Sequence, residues 1–301
     1  MIKSKYFMEN KRQRFVQRLE HFKKQQRIIP LYRGFPKEFG FHKFNLDIQY
    51  NNIKQFSERL FYYGEKSKFF WKEKIKSNFE INDIDNKVFT YIFEKFSEIN
   101  KIENLECRKK KYIDRNKKSF DFFSNKDNLE IFLKGINNLL DDQKKCLRNY
   151  YFRIIHQLGE TDYINQSLLV SSSRTEYVAK KFSKGDIIIY FWDFNFDNLP
   201  NISGDGIVFF NGKPYKDQKE ISVFGAIFPH YIYAFKYKKK YYLNPALEKI
   251  DNEDEEAMDM AIIFGFDIDQ EGFEKKAEKE IKGNAISRTS DGEVKEIKFH
   301  N

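Results

Sequence analysis

The run SLLVSSSRTEYVAKKF, Ser167 to Phe182, reads as a short strand, a triple serine and an amphipathic helix. Leu168, Leu169 and Val170 form an apolar run without helical period. Ser173 followed three residues later by Glu176 has the spacing of a capping box, which opens a helix there. Tyr177, Val178 and Phe182, with the small Ala179, are the expected packing face. Ser171, Ser172 and Ser173 therefore sit where a strand ends and free helical N–H groups begin, a place suited to holding a ligand. Alone, the serines read first as a helix cap.

Two further stretches bear on that choice. IIPLYRG, Ile28 to Gly34, is an apolar segment ending in Arg33 and a glycine. YKDQKEISVF, Tyr215 to Phe224, is a polar turn feeding a β-branched run. The order Arg33, then Ser171 to Ser173, then Gln218 with Glu220 resembles the Arg–Ser–Glu class of mono-ADP-ribosyltransferases. In that class an arginine ends the first core strand, a Ser-Thr-Ser-like motif ends a second, and a catalytic glutamate opens a third. A local likeness to FRG domains points to the same architecture. It rests on Tyr32-Arg33-Gly34, on His156 with Gly159, and on Ala179 with Phe182.

The resemblance implies an α+β fold: an ADP-ribosyltransferase-like antiparallel β core with a large helical insertion. It implies NAD as co-substrate, without a metal. Arg33, Gly34 and the serines Ser171, Ser172 and Ser173 would form the cofactor pocket; a planar arginine fork suits a pyrophosphate. Glu220 would stabilise the oxocarbenium-like ribose formed as nicotinamide leaves. Ser171 would orient Glu220 or the ribose. Gln218, on the same strand face two residues earlier, would engage the acceptor. Gln-x-Glu members of the class include clostridial exoenzymes that modify asparagine on Rho proteins and pierisin-like enzymes that modify guanine in DNA. Both tend to carry an aromatic three residues before the glutamine, where Tyr215 stands, able to stack on a base.

Composition narrows the classes. The chain has 301 residues, 41% of them hydrophobic and 18% aromatic, enough to bury a large core despite 33% charge. The net charge of +9 favours an anionic partner, and the first reading of the acceptor is RNA or DNA. A protein side chain, or a non-catalytic nucleic-acid-binding relative, is the alternative. The toxin-like resemblance, in bacterial or phage conflict, adds an antitoxin or chaperone as a further partner. Two cysteines imply no disulfide framework, and the five scattered histidines have no metal-ligand spacing. No run reaches the length of a membrane span and no signal-peptide core is visible, so a cytoplasmic protein with no membrane partner is expected.

In chain order, residues 1–27 form a basic helix with Phe15, Leu19 and Phe22 at helical spacing. Residues 28–250 form the catalytic domain, with the helical insertion at about 45–160. In the insertion, Asn51–Phe79 carries Ile53, Phe56, Leu60 and Tyr63 on one face. A long periodic pattern spans Asn128–Leu158, with Gly159 as its stop. Cys107 to Lys118 is a basic run. Strands are expected at Ile187–Phe194, Ile207–Phe210, Ile221–Phe228, Tyr231–Phe235 and Tyr241–Leu243. Residues 251–301 comprise an acidic linker and a C-terminal extension, with a charged helix from Glu271.

Overall fold

The computed structural model describes residues 2–43, 46, 53–67, 69–70, 73, 77–78, 83–103, 105–161, 164–165, 168–194, 202–203, 208–209, 213–214 and 220–267. The helix expected from Glu271 lies outside them. The chain opens with α1 (Ile2–Lys24), β1 (Ile28–Phe35), α2 (Lys37–Lys43) and α3 (Ile53–Tyr63). A helical array follows: α4 (Asn86–Asn100), α5 (Cys107–Arg115), α6 (Lys117–Ser124), α7 (Asn128–Asn137) and α8 (Asp141–Gly159). Then come β2 (Glu160–Thr161), β3 (Ile164–Asn165), β4 (Leu169–Ser173), α9 (Glu176–Ser183) and β5 (Ile187–Phe194). The remainder is β6 (Ile202–Ser203), β7 (Val208–Phe209), β8 (Lys213–Pro214), β9 (Glu220–Phe224), β10 (Ile232–Tyr237), β11 (Lys240–Leu243), α10 (Pro245–Lys249) and α11 (Glu255–Phe264).

The main sheet runs β11-β10-β5-β1-β4-β9-β6, with β6 a two-residue edge. Every neighbouring pair is antiparallel. The molecule is therefore an α+β protein built on an antiparallel sheet. Strand β5, IIIYFWDF, is β-branched and aromatic throughout, and it is buried on both faces. Ile187, Ile189 and Phe191 pack into one apolar cluster with Phe41, Phe56 and Leu60. Ile188, Tyr190 and Trp192 pack into another with Phe15, Leu19, Met258 and Ile262. Residues before 27 and after 250 thus share one core with the sheet. A third cluster joins α4, α6, α7 and α8 to Leu168, Leu169 and Phe224 of the sheet.

The basic residues of α1 are largely committed. Arg18 binds Asp259 and Glu255, Arg14 donates to the Asn252 carbonyl, and buried Lys11 donates to the carbonyls of Glu248 and Ile250. The acidic stretch expected as a linker meets this helix instead, and Asp254 caps α11 by accepting from the Ala257 N–H. Among the described residues no helix is long and apolar enough to cross a membrane.

Other expectations shift in detail. The pattern over Asn128–Leu158 is two helices, broken after Asn137 although the apolar spacing continues across the Asn138–Leu140 turn. Helix α9 packs through Val178, Ala179 and Ser183, whereas Tyr177 and Phe182 are 66% and 52% exposed. Its cap is Thr175, not Ser173.

Gly34 explains why small residues carry that interface. A Cβ built on Gly34 would lie 1.7 Å from the Ala179 carbonyl oxygen, so only glycine lets the helix backbone approach β1. We expect Gly34→Ala to destabilise the fold by about 1–3 kcal/mol through overpacking. Urea unfolding measures it, and an unchanged midpoint would contradict the close approach.

Candidate active site

Strands β1, β4 and β9 are immediate neighbours. Strand β1 pairs with β4 at a single register position, Tyr32 opposite Ser173, and Ser173 stands opposite Glu220. Directly opposed residues share a face, so Tyr32, Ser173 and Glu220 form one row across three strands. Tyr190 of β5 extends the row on the other side of Tyr32. The glutamate opens β9, as expected for it, and the serines close β4. Gln218, Tyr215 and the side chain of Glu220 lie outside the described residues.

The three serines divide their tasks by strand alternation. Ser171 and Ser173 share the Glu220 face, while Ser172 points to the other and donates to the Ile221 carbonyl at 2.6 Å. Ser173 Oγ accepts from the Thr175 N–H at 3.1 Å, a local turn that delivers the chain into α9. Ser171 lies opposite Ser222, two residues from Glu220 in the register, so Ser173 takes the position expected for Ser171. The Ser171 hydroxyl instead meets His156 Nε2 at 2.8 Å. His156 is buried near the C-terminal end of α8, which brings the helical array onto this face of the sheet. Ser171→Ala removes that bond beneath a buried imidazole, and about 1–2 kcal/mol of stability should go with it. A denaturation midpoint equal to wild type would show that the contact carries nothing.

Arg33 faces away from the row and is buried. Its Nε lies 2.7 Å from both Glu65 carboxylate oxygens, and Nη1 donates to the Ser171 carbonyl. The arginine thus ties β1 to β4 where the ladder has only one pairing. Glu65 is fixed in turn. Its backbone exchanges two hydrogen bonds with Ile227, and Gly64 before it takes φ +71°, which glycine adopts freely. The neighbouring Lys66 ammonium donates to the Leu169 carbonyl at 2.8 Å. No sequence signal marked Glu65, because its partner is 32 residues away and no period links them. Gly34, placed in the cofactor pocket by resemblance, serves the α9 packing.

On the row's other flank, burial raises the Tyr190 hydroxyl well above the usual tyrosine range, reinforced by the nearby Tyr241 and Glu176. Tyr32 is raised for the same first cause, with Glu176 next. Both phenols are neutral at physiological pH; Tyr190 is packed into the core, and the half-buried Tyr32 stands opposite Ser173 with its phenol as a donor. Glu176 is held by Lys236 at 3.3 Å. The row brings together the strand position of Glu220, the Ser173 hydroxyl and the Tyr32 phenol, with Tyr190 buried beside them. Comparison of the chain with protein-family models, with curated proteins and with solved structures found no match to any of them.

Proposed function

We propose that the protein is an NAD-dependent mono-ADP-ribosyltransferase with an ADP-ribosyltransferase-like core, acting in a toxin-like role. One observation carries this reading. Three motifs separated by some 190 residues of sequence fall on adjacent strands, in the order arginine strand, serine strand, glutamate strand, with Ser173 and Glu220 directly opposed.

In this reading the ribose–nicotinamide bond of NAD breaks and nicotinamide leaves as a neutral base, taking the bonding pair. Glu220 stabilises the cationic C1′ that develops and binds a ribose hydroxyl. The acceptor's nitrogen or oxygen then bonds C1′ and gives up its proton to solvent. Gln218 and Tyr215 position that acceptor. Ser173 supports the glutamate strand end, and Ser171 joins it to His156. Arg33 acts first as a positioning residue, because its guanidinium is already committed to Glu65 and the Ser171 carbonyl.

The acceptor we favour is a nucleic-acid base. The exposed face of α5 and the start of α6 carry Arg108, Lys110, Lys111, Arg115, Lys117 and Lys118, a strip suited to phosphate. The cations of α1 are less suited, since Lys11, Arg14 and Arg18 are bound to the C-terminal segment and Arg12 and Lys23 to glutamates of α1 itself. The test incubates the protein with NAD labelled in its adenylate half, together with RNA, DNA or cell lysate. Label on nucleic acid is the expected result. Label on a lysate protein alone would move the acceptor to a side chain, and no label on any polymer would remove the transferase reading.

A further inference from the structure

A second cationic surface is assembled from segments that look unrelated in the sequence. The β10–β11 hairpin turns through Lys238 and Lys239, and Lys238 N–H donates to the Asp186 carbonyl at 3.0 Å. Asp186 belongs to the turn that follows α9, whose last turn carries Lys180 and Lys181 and whose C-cap is Lys184. The Asp186 carboxylate is taken by the Lys37 backbone N–H at 3.0 Å. The result is a corner at one end of the sheet at which six lysines are exposed: Lys180, Lys181 and Lys184 on the α9 side, and Lys238, Lys239 and Lys240 at the hairpin, where the Lys238 and Lys240 ammonium groups lie 5.3 and 4.8 Å from the Tyr237 and Tyr242 ring centres on the opposite sheet face.

The corner also presents aromatic surface. Tyr177 is 66% exposed with the Lys181 ammonium 4.5 Å from its ring centre, and Phe182 is 52% exposed. Exposed rings of this size beside lysines suit a strand whose bases are unstacked and whose phosphates lie on the cations. The location fits the candidate site. Phe35 pairs with Ile187 at this end of the sheet, three residues (about 10 Å) along β1 from Tyr32 in the row. Helix α9 begins at the serine strand's end and reaches the corner in eight residues, about 12 Å.

We propose that this corner, together with Tyr177 and Phe182, is the docking surface for single-stranded nucleic acid, leading the strand toward the Ser173–Glu220 row. The proposal rests on the nucleic-acid reading of the acceptor, but binding alone tests it. The probe is a fluorescein-labelled single strand of about 12 nucleotides, without NAD, followed by anisotropy across a salt series. One variant combines Lys238→Asn, Lys239→Gln and Lys240→Gln; asparagine is chosen because Lys238 has φ +55°. It should weaken binding and flatten the salt slope by about two, near 0.7 per lost phosphate contact. Tyr177→Ala should weaken binding at least about fivefold with the slope unchanged. A duplex of the same sequence should bind more weakly than the single strand. Circular dichroism confirms that each variant is folded.

The proposal is overturned if the hairpin variant keeps wild-type affinity and slope, or if duplex binds as well and Tyr177→Ala has no effect. Failure of the transferase reading looks different: the strand binds with these dependences, but label from NAD never reaches it.

Discussion

Glu220→Gln is expected to lower ADP-ribose transfer at least about a hundredfold while leaving the fold and NAD affinity intact. The amide is close to isosteric and still donates and accepts, so ground-state contacts to a ribose hydroxyl survive. It carries no charge, so it stabilises the cationic C1′ poorly, and that deficit falls only on the transition state. Residue 220 opens β9, where its backbone pairs with Ser173 whichever side chain it bears, so the strand should be undisturbed. Labelled NAD with the accepted polymer measures transfer, and calorimetry measures NAD binding. Activity within about threefold of wild type would remove Glu220 from the chemistry.

The second large effect is on stability. Arg33→Ala takes from Glu65, whose side chain is 1% exposed, the guanidinium that sits on both of its carboxylate oxygens. Breaking a buried pair from one side costs about 3–5 kcal/mol, far more than the pair contributes net. Urea unfolding should show that loss for the single variant. The double variant Arg33→Met with Glu65→Leu should recover much of it, since no buried charge is left behind. A loss below about 1 kcal/mol for Arg33→Ala would mean that water reaches the pair. The same double variant separates structure from cofactor binding. If it is folded and its NAD affinity is unchanged, Arg33 has no part in the cofactor pocket. If affinity falls tenfold or more, the guanidinium exchanges Glu65 for phosphate when NAD arrives.

How much of this was legible beforehand depends on the range of the interaction. Strands β1 and β5 were readable because their β-branched and aromatic runs carry the signal within eight residues. The end of α8 at Gly159 was readable for the same local reason. The packing face of α9 was not. Hydrophobic periodicity selects large side chains, whereas this helix is held close by Gly34, Ala179 and Ser183, and its large residues overhang the edge. The break between α7 and α8 was hidden because apolar residues keep the helical spacing on both sides of it. The motif residues of β1, β4 and β9 could be named from order alone. Their registers could not, since pairing Glu220 with Ser173 rather than Ser171 depends on how β4 and β9 meet. Glu65, the lysine corner and the partners of α1 are long-range facts of the fold. Nothing within a window of sequence distinguishes those lysines from solvated surface.

The clasp between α1 and the segment around α11 has a consequence for synthesis. Arg18 waits for Glu255 and Asp259, and Arg14 for Asn252, all 237 to 241 residues downstream. At about 5–20 residues per second, the N-terminal helix emerges roughly 10 to 50 s before its partners are translated. During that interval Phe15, Leu19 and Phe22 have no finished surface to cover them. The nascent chain therefore displays a basic helix with an apolar stripe, the kind of surface that ribosome-associated chaperones shield. Docking of that helix is completed late in folding, timed by the arrival of the acidic segment around α11.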